Sequence, residues 1–161
     1  MRPKTDVQYL HLQHVASFVS PGFPTTPKNQ IRETGRKLAA RFVEFLIAAS
    51  FKTPKGEGPR ERQSGWTVFA QRNRTPWQVY IAPFPLRDQE RPHWFLGFGP
   101  QERRFRRVNE SELLLEHPEM KETVESFLKS IDAETVSWWN HFEWKDAVRQ
   151  PETDLSPMPS V

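Results

Sequence analysis

Apolar and polar residues alternate most regularly between positions 65 and 98. Trp66, Val68 and Ala70 fall to one side of an extended chain there, and Thr67, Phe69 and Gln71 fall to the other. The same two-residue period sets Trp77, Val79 and Ile81 against Gln78, Tyr80 and Ala82, and Trp94, Leu96 and Phe98 against Phe95, Gly97 and Gly99. These runs are rich in β-branched and aromatic residues and are bounded by turn formers, so they predict strands over 65–71, 77–82 and 93–98, with 103–108 as a fourth candidate. The short connection 72–76 predicts an antiparallel hairpin with Arg72 and Arg74 at its tip, and the longer connection 83–92 an exposed loop. One face of this sheet is core. The other still carries Phe69, Tyr80 and Phe95, which requires either helices on both sides or a row of aromatics in solvent.

Outside the sheet the spacing changes to threes and fours. Ile31, Leu38, Phe42, Phe45, Leu46 and Ala49 share one helical face, Thr26 and Pro27 form a starting signal, and a helix over 27–50 follows. Gly35 lies on the apolar side, where a glycine marks a close approach to the sheet. Asn109 and Glu112 predict a short helix to 116, and Pro118 restarts the pattern with Met120, Val124, Phe127, Leu128 and Ile131. Asp132 is placed to cap a last helix over 133–150. There Val136, Trp138, Trp139, Phe142, Trp144, Ala147 and Val148 wrap most of the circumference, so that helix is buried on all sides or binds something. The period of 7–19 is ambiguous between strand and short helix, 20–27 is a proline-rich connection, 52–64 reads as a mobile loop and 151–161 as a disordered tail.

The expected fold is therefore a single α+β domain over 1–150. It has a three- or four-stranded antiparallel sheet, one long N-terminal helix and two or three C-terminal helices packed on it. At 161 residues such a domain buries enough surface to fold without a staple. Cysteine is absent, which removes disulfides, thiolate nucleophiles and the common structural zinc sites. No apolar run of signal-peptide length follows the first residues, and 39–51 is too short to span a bilayer; the expectation is a cytoplasmic protein with no membrane contact.

Charge changes the picture more than composition does. The net value of +3 conceals 7 basic and 3 acidic residues over 1–51, 12 and 5 over 52–107, and 4 and 12 over 108–161. Sorting of this kind steers partners of one sign to one region, or a second copy to the other. Ten arginines and no lysine lie between Arg60 and Arg107, interleaved with aromatics, and guanidinium suits bidentate phosphate contact and stacking on bases.

No segment carries the residues of a recognisable reaction. His11 and His14 share a spacing of three without completing a metal-ligand set, and carboxylates are missing from the strands where a magnesium-dependent nuclease needs them. Gly97-Phe98-Gly99 lacks the context of a phosphate loop, and no serine sits in a nucleophile elbow. The expectation is a protein without enzymatic activity and without a cofactor. Its candidate nucleic-acid contacts (RNA or single-stranded DNA) are Arg72, Arg74, Arg87, Arg91, Arg103, Arg104, Arg106 and Arg107. The candidate protein contacts are Trp138, Trp139, Phe142 and Trp144, in a block whose aromatic content matches an interface centre. These two surfaces fit an accessory subunit of a larger, nucleic-acid-handling complex; the alternative is an inhibitor or immunity-type protein acting through the aromatic C-terminal helix.

Overall fold

The structure, a computed structural model, describes residues 12–25, 28–53, 59–62, 65–83, 94–101 and 115–148. The chain is α+β. Its strands are β1 (His14–Val19), β2 (Arg60–Arg62), β3 (Gly65–Arg72), β4 (Thr75–Pro83), β5 (Trp94–Pro100) and β6 (Glu134–Asn140), and its helices are α1 (Ile31–Ala48), α2 (Pro118–Ser130) and α3 (His141–Val148). All neighbouring strands are antiparallel in one six-stranded sheet of order β2-β3-β4-β5-β1-β6. The sheet is thus larger than three or four strands: the ambiguous segment at 14–19 and the helix-like one at 134–140 contribute to it, and so does 60–62, expected within a mobile loop but paired with β3 as β2, with Lys52 bridged to Gln71. The expected strand at 103–108, residues 109–114 of the short helix and the tail 151–161 lie outside the described residues; residues 115–117 are not helical. Among the described residues no helix is long and apolar enough to cross a membrane.

α1 forms within the span that the spacing marks, but it starts at Ile31 after a 3-10 turn over Lys28–Gln30, later than expected; Thr26 and Pro27 lie outside the described residues. All six of its predicted apolar positions, from Ile31 to Ala49, meet the core. Gly35 is buried against the sheet: a Cβ built there would stand 3.0 Å from Trp66 Nε1 and 3.2 Å from Trp94 Cζ3, so the close approach is real. α2 packs beside α1 on this face, with Phe127 edge-on to Phe42 at 4.9 Å and to Phe45 at 5.6 Å, geometry worth about 0.5–1.5 kcal/mol per pair beyond burial. Both helices stop by the same device. Ser50 (φ 70°) and Asp132 (φ 54°) sit left-handed just past the C-caps, and Phe51 N–H and Ala133 N–H reach back to the carbonyls of Leu46 and Leu128. Asp132 therefore ends α2 instead of starting a helix.

The expected helix over 133–150 is divided. Thr135, Val136, Trp138 and Trp139 favour a pleated surface, and they add β6 to the edge of β1 with Ala16 opposite Trp138 and Val15 opposite Trp139. A strand sends these two tryptophans to opposite faces, which is why the segment resembled a helix apolar all round. Trp138 joins the α1/α2 face and Trp139 the other. α3 then starts from a reciprocal capping box: Asn140 Oδ1 accepts from Glu143 N–H, and Asn140 N–H donates to Glu143 Oε1, both at 2.9 Å.

The second face is not a row of aromatics in solvent. Tyr80, Phe95, Val15 and Ala82 form a buried cluster there with Leu12 and with Trp144 of α3. Gly97 opens the space for Leu12, whose side chain a Cβ at that position would overlap.

Candidate nucleic-acid interface

The β3–β4 hairpin closes more tightly than the sequence suggested. Arg72 pairs with Thr75, leaving only Asn73 (φ 53°) and Arg74 (φ 66°) in the turn, both left-handed as a type I′ turn requires. The turn then separates the two arginines: Arg72 ends β3, and Arg74 stands in the turn itself with a left-handed backbone. Arg72 turns toward the helices: its Nε donates to Glu119 Oε1 at 2.6 Å, its Nη1 donates to Ala49 O at 2.8 Å, its Nη2 forms an ion pair with Glu119, and its guanidinium lies 4.4 Å above the Phe51 ring. Asn73 adds a bond from Nδ2 to the same Glu119 oxygen at 3.3 Å. Ala49 is the C-cap of α1, whose last carbonyls attract a cation. Arg72, expected among the phosphate contacts, is thus engaged in joining the hairpin to two helices.

Arg74 is different. Its side chain is exposed and has no ion-pair or hydrogen-bond partner among the described residues. Lys52 is exposed on the adjoining edge, where its backbone exchanges two 2.8 Å bonds with Gln71. On α1, Arg36 is paired with Glu33, whose carboxyl that hydrogen bond holds below its ordinary range. Arg32 Nε lies 3.1 Å from Glu61 Oε1, close in distance but not aligned as a hydrogen bond. Lys37 and Arg41 stay exposed on the same helix.

Arg87, Arg91, Arg103, Arg104, Arg106 and Arg107 lie outside the described residues. The residues flanking 102–114 are nevertheless fixed. Gln101 N–H donates to Pro76 O at 2.9 Å, and Leu115 O accepts from His14 Nε2 at 2.9 Å. Both anchors stand at the end of the sheet where the hairpin turns. The strand aromatics, by contrast, offer no stacking platform. Trp66, Trp77, Tyr80, Trp94, Phe95 and Phe98 of β3 to β5 are all buried; Phe69, and Trp138 and Trp139 of β6 at the far edge of the sheet, are partly open.

The same sheet end holds a histidine pair that the sequence did not bring together. His14 and His117 lie with ring centroids 5.6 Å apart; His117 Nε2 donates to Gln13 Oε1 at 2.9 Å, and Trp77 meets its ring edge-on at 5.1 Å. Burial, and secondarily the charge of His14, pulls the His117 pKa below its ordinary 6.5. The folded state therefore favours neutral His117, so this group's stabilisation is full above pH 6.5 and declines as pH falls through the lower folded value. The urea midpoint should drop between pH 7 and pH 5, and His117→Gln should flatten that slope; an unchanged slope in the variant would place the effect elsewhere. His11 lies outside the described residues, and among those described no three histidine, aspartate or glutamate side chains cluster as metal ligands.

Of the aromatic residues expected at a protein interface, Trp144 is wholly buried, its ring 4.7 Å from Phe95. Trp139 donates to Ser17 Oγ at 3.0 Å, and Trp138 packs against Phe98 with Lys121 5.1 Å over its ring. Phe142 is half-buried beside His141. These side chains hold β6 and α3 to the sheet, and α3 as a whole presents no tryptophan to a partner. Comparisons of the chain with known protein families, with curated proteins and with solved structures give no significant match.

Proposed function

We propose that the protein is a non-catalytic binding subunit of a nucleic-acid-handling complex, touching the phosphate backbone through the sheet end that carries Arg74. The observation behind this reading is Arg74 itself, an exposed guanidinium without a partner among the described residues, carried at a left-handed turn position that glycine would occupy at lower cost. Lys52 stands on the neighbouring edge, and Gln101, the residue before the arginine-rich stretch 102–114, is bonded to Pro76 beside the same hairpin. Because Trp77, the aromatic residue of β4 nearest the hairpin turn, is buried, contact there is by charge and hydrogen bonding to phosphate, without base stacking. Affinity is accordingly indifferent to sequence and steeply dependent on salt.

Arg74→Gly tests this without confounding folding, since glycine at a left-handed position relieves about 1 kcal/mol of backbone cost. The variant should melt at the same or a higher temperature and bind mixed-sequence oligonucleotides more weakly. With duplex DNA, the slope of log K against log salt should fall by about 0.9 for the lost contact. Fluorescence anisotropy at low salt is the measurement. No binding by the native chain, or equal binding by Arg74→Gly, removes the proposal.

A further inference from the structure

A sheet exposes two edges, and this one protects them unequally. Beside β3 the edge is β2, three charged residues (Arg60, Glu61, Arg62), extended by the single Lys52–Gln71 bridge. An antiparallel copy of β2 centred on Glu61 would set Glu61 against itself and Arg60 against Arg62, so that edge repels its own kind.

The opposite edge is β6, seven residues long, whose sole sheet partner among the described residues is β1. Thr135 to Asn140 carries no charge, residues 134–137 are exposed, and Val136 keeps 41 % of its surface in water. Such a strand is a template for another, and its own sequence supplies the match. Antiparallel pairing about a two-fold axis at Ser137 sets Val136 opposite Trp138 of a second copy, and the ladder stops at Thr135, where β6 also shifts register against β1. A β-branched residue facing an aromatic is a favourable cross-strand pair, and no like charges meet. Val136 and Trp138 lie on the same side of the strand, so the two-fold axis gathers two such pairs into one apolar patch.

We infer that β6 pairs antiparallel with β6 of a second copy, joining two six-stranded sheets into one. The left-handed Thr135 (φ 55°) breaks the regular run at one end and keeps the contact short. The buried area is then below the roughly 1,200 Å² of standard interfaces, which makes the association weak and concentration-dependent.

Sedimentation equilibrium of the full chain over about 1–100 μM should show the mass rising from monomer to twice the monomer. Ser137 faces itself across the axis and is exposed, so Ser137→Glu and Ser137→Lys each place like charges in contact while sparing the monomer's fold, as circular dichroism would verify. Each variant alone should stay monomeric, and an equimolar mixture should regain the double mass. Val136→Ser, which thins the apolar patch without adding charge, should also weaken the association. A native chain that stays monomeric over the whole range overturns the inference, as does a dimer that persists in all three variants or a mixture that fails to associate.

Discussion

Trp144→Ala should cost about 3–5 kcal/mol of folding stability, the range for removing a buried aromatic side chain from a core. The indole is fully enclosed between Phe95 at 4.7 Å and Trp139 at 5.8 Å, in the cluster with Leu12, Val15, Tyr80 and Ala82. α3 is only eight residues long, too short to persist unless tertiary contacts hold it. Its loss would expose the second face of the sheet. Since domains of this size are stable by about 5–15 kcal/mol, the variant should lie close to unfolding, with a large drop in urea midpoint. A loss under about 1 kcal/mol would mean that the indole is not enclosed as described. Any change in partner binding by this variant must therefore be judged against its folded fraction.

Gly65→Ala should be nearly as damaging although it adds a single methyl group. A Cβ at this position would stand 2.6 Å from Ala82 Cβ, 2.6 Å from Ile81 O and 2.7 Å from Tyr80 Cζ. Two of those neighbours belong to the β4 backbone or to a Cβ fixed to it, and β4 is held on its other side by β5. The strand cannot yield alone. Overpacking of this kind costs about 3 kcal/mol, at the upper end of its usual range because the obstacle is not a flexible side chain. Gly22→Ala is the matched control: nothing lies within 4 Å of its added methyl, and its melting temperature should be unchanged. Equal stability of the two variants would refute the crowding at Gly65.

The central strands and α1 were legible because local signals agreed there. Period-two alternation ran between turn formers at 65–71, and Pro27 preceded six apolar positions on one face. β1 and β6 were obscured for one shared reason. β1 is an inner strand covered on both faces, so Val15, Ala16, Phe18 and Val19 show no alternation. In β6 the adjacent Trp138 and Trp139 serve opposite faces, and apolar residues continue into α3, blurring strand and helix into one apparent period. The overlooked signal was Asn140 followed three residues later by Glu143, the same capping pattern recognised at 109–112.

At the candidate site the sequence presented Arg72 and Arg74 as equivalent. What separates them is the turn, which takes Arg74 out of the strand, together with a carboxylate 47 positions beyond Arg72, Glu119, which no local pattern could connect to the hairpin. Likewise, buried strand aromatics cannot be told from exposed ones by composition, because the covering element, Trp144 in α3, lies far along the chain. The His14 and His117 pair was missed for the same reason: its members meet only because β1 and the start of α2 reach one end of the sheet.

The position of β1 also sets the order of events during synthesis. Its two neighbours are β5 and β6, and the bond from Trp139 to Ser17 spans 122 residues of chain. An early-made strand must wait, unpaired, until late segments emerge, so closure is governed by distant loop-forming encounters rather than local zipping. During that interval Val15, Phe18 and Val19 are exposed and open to wrong partners, and nascent chains halted before residue 134 should be the most prone to aggregate.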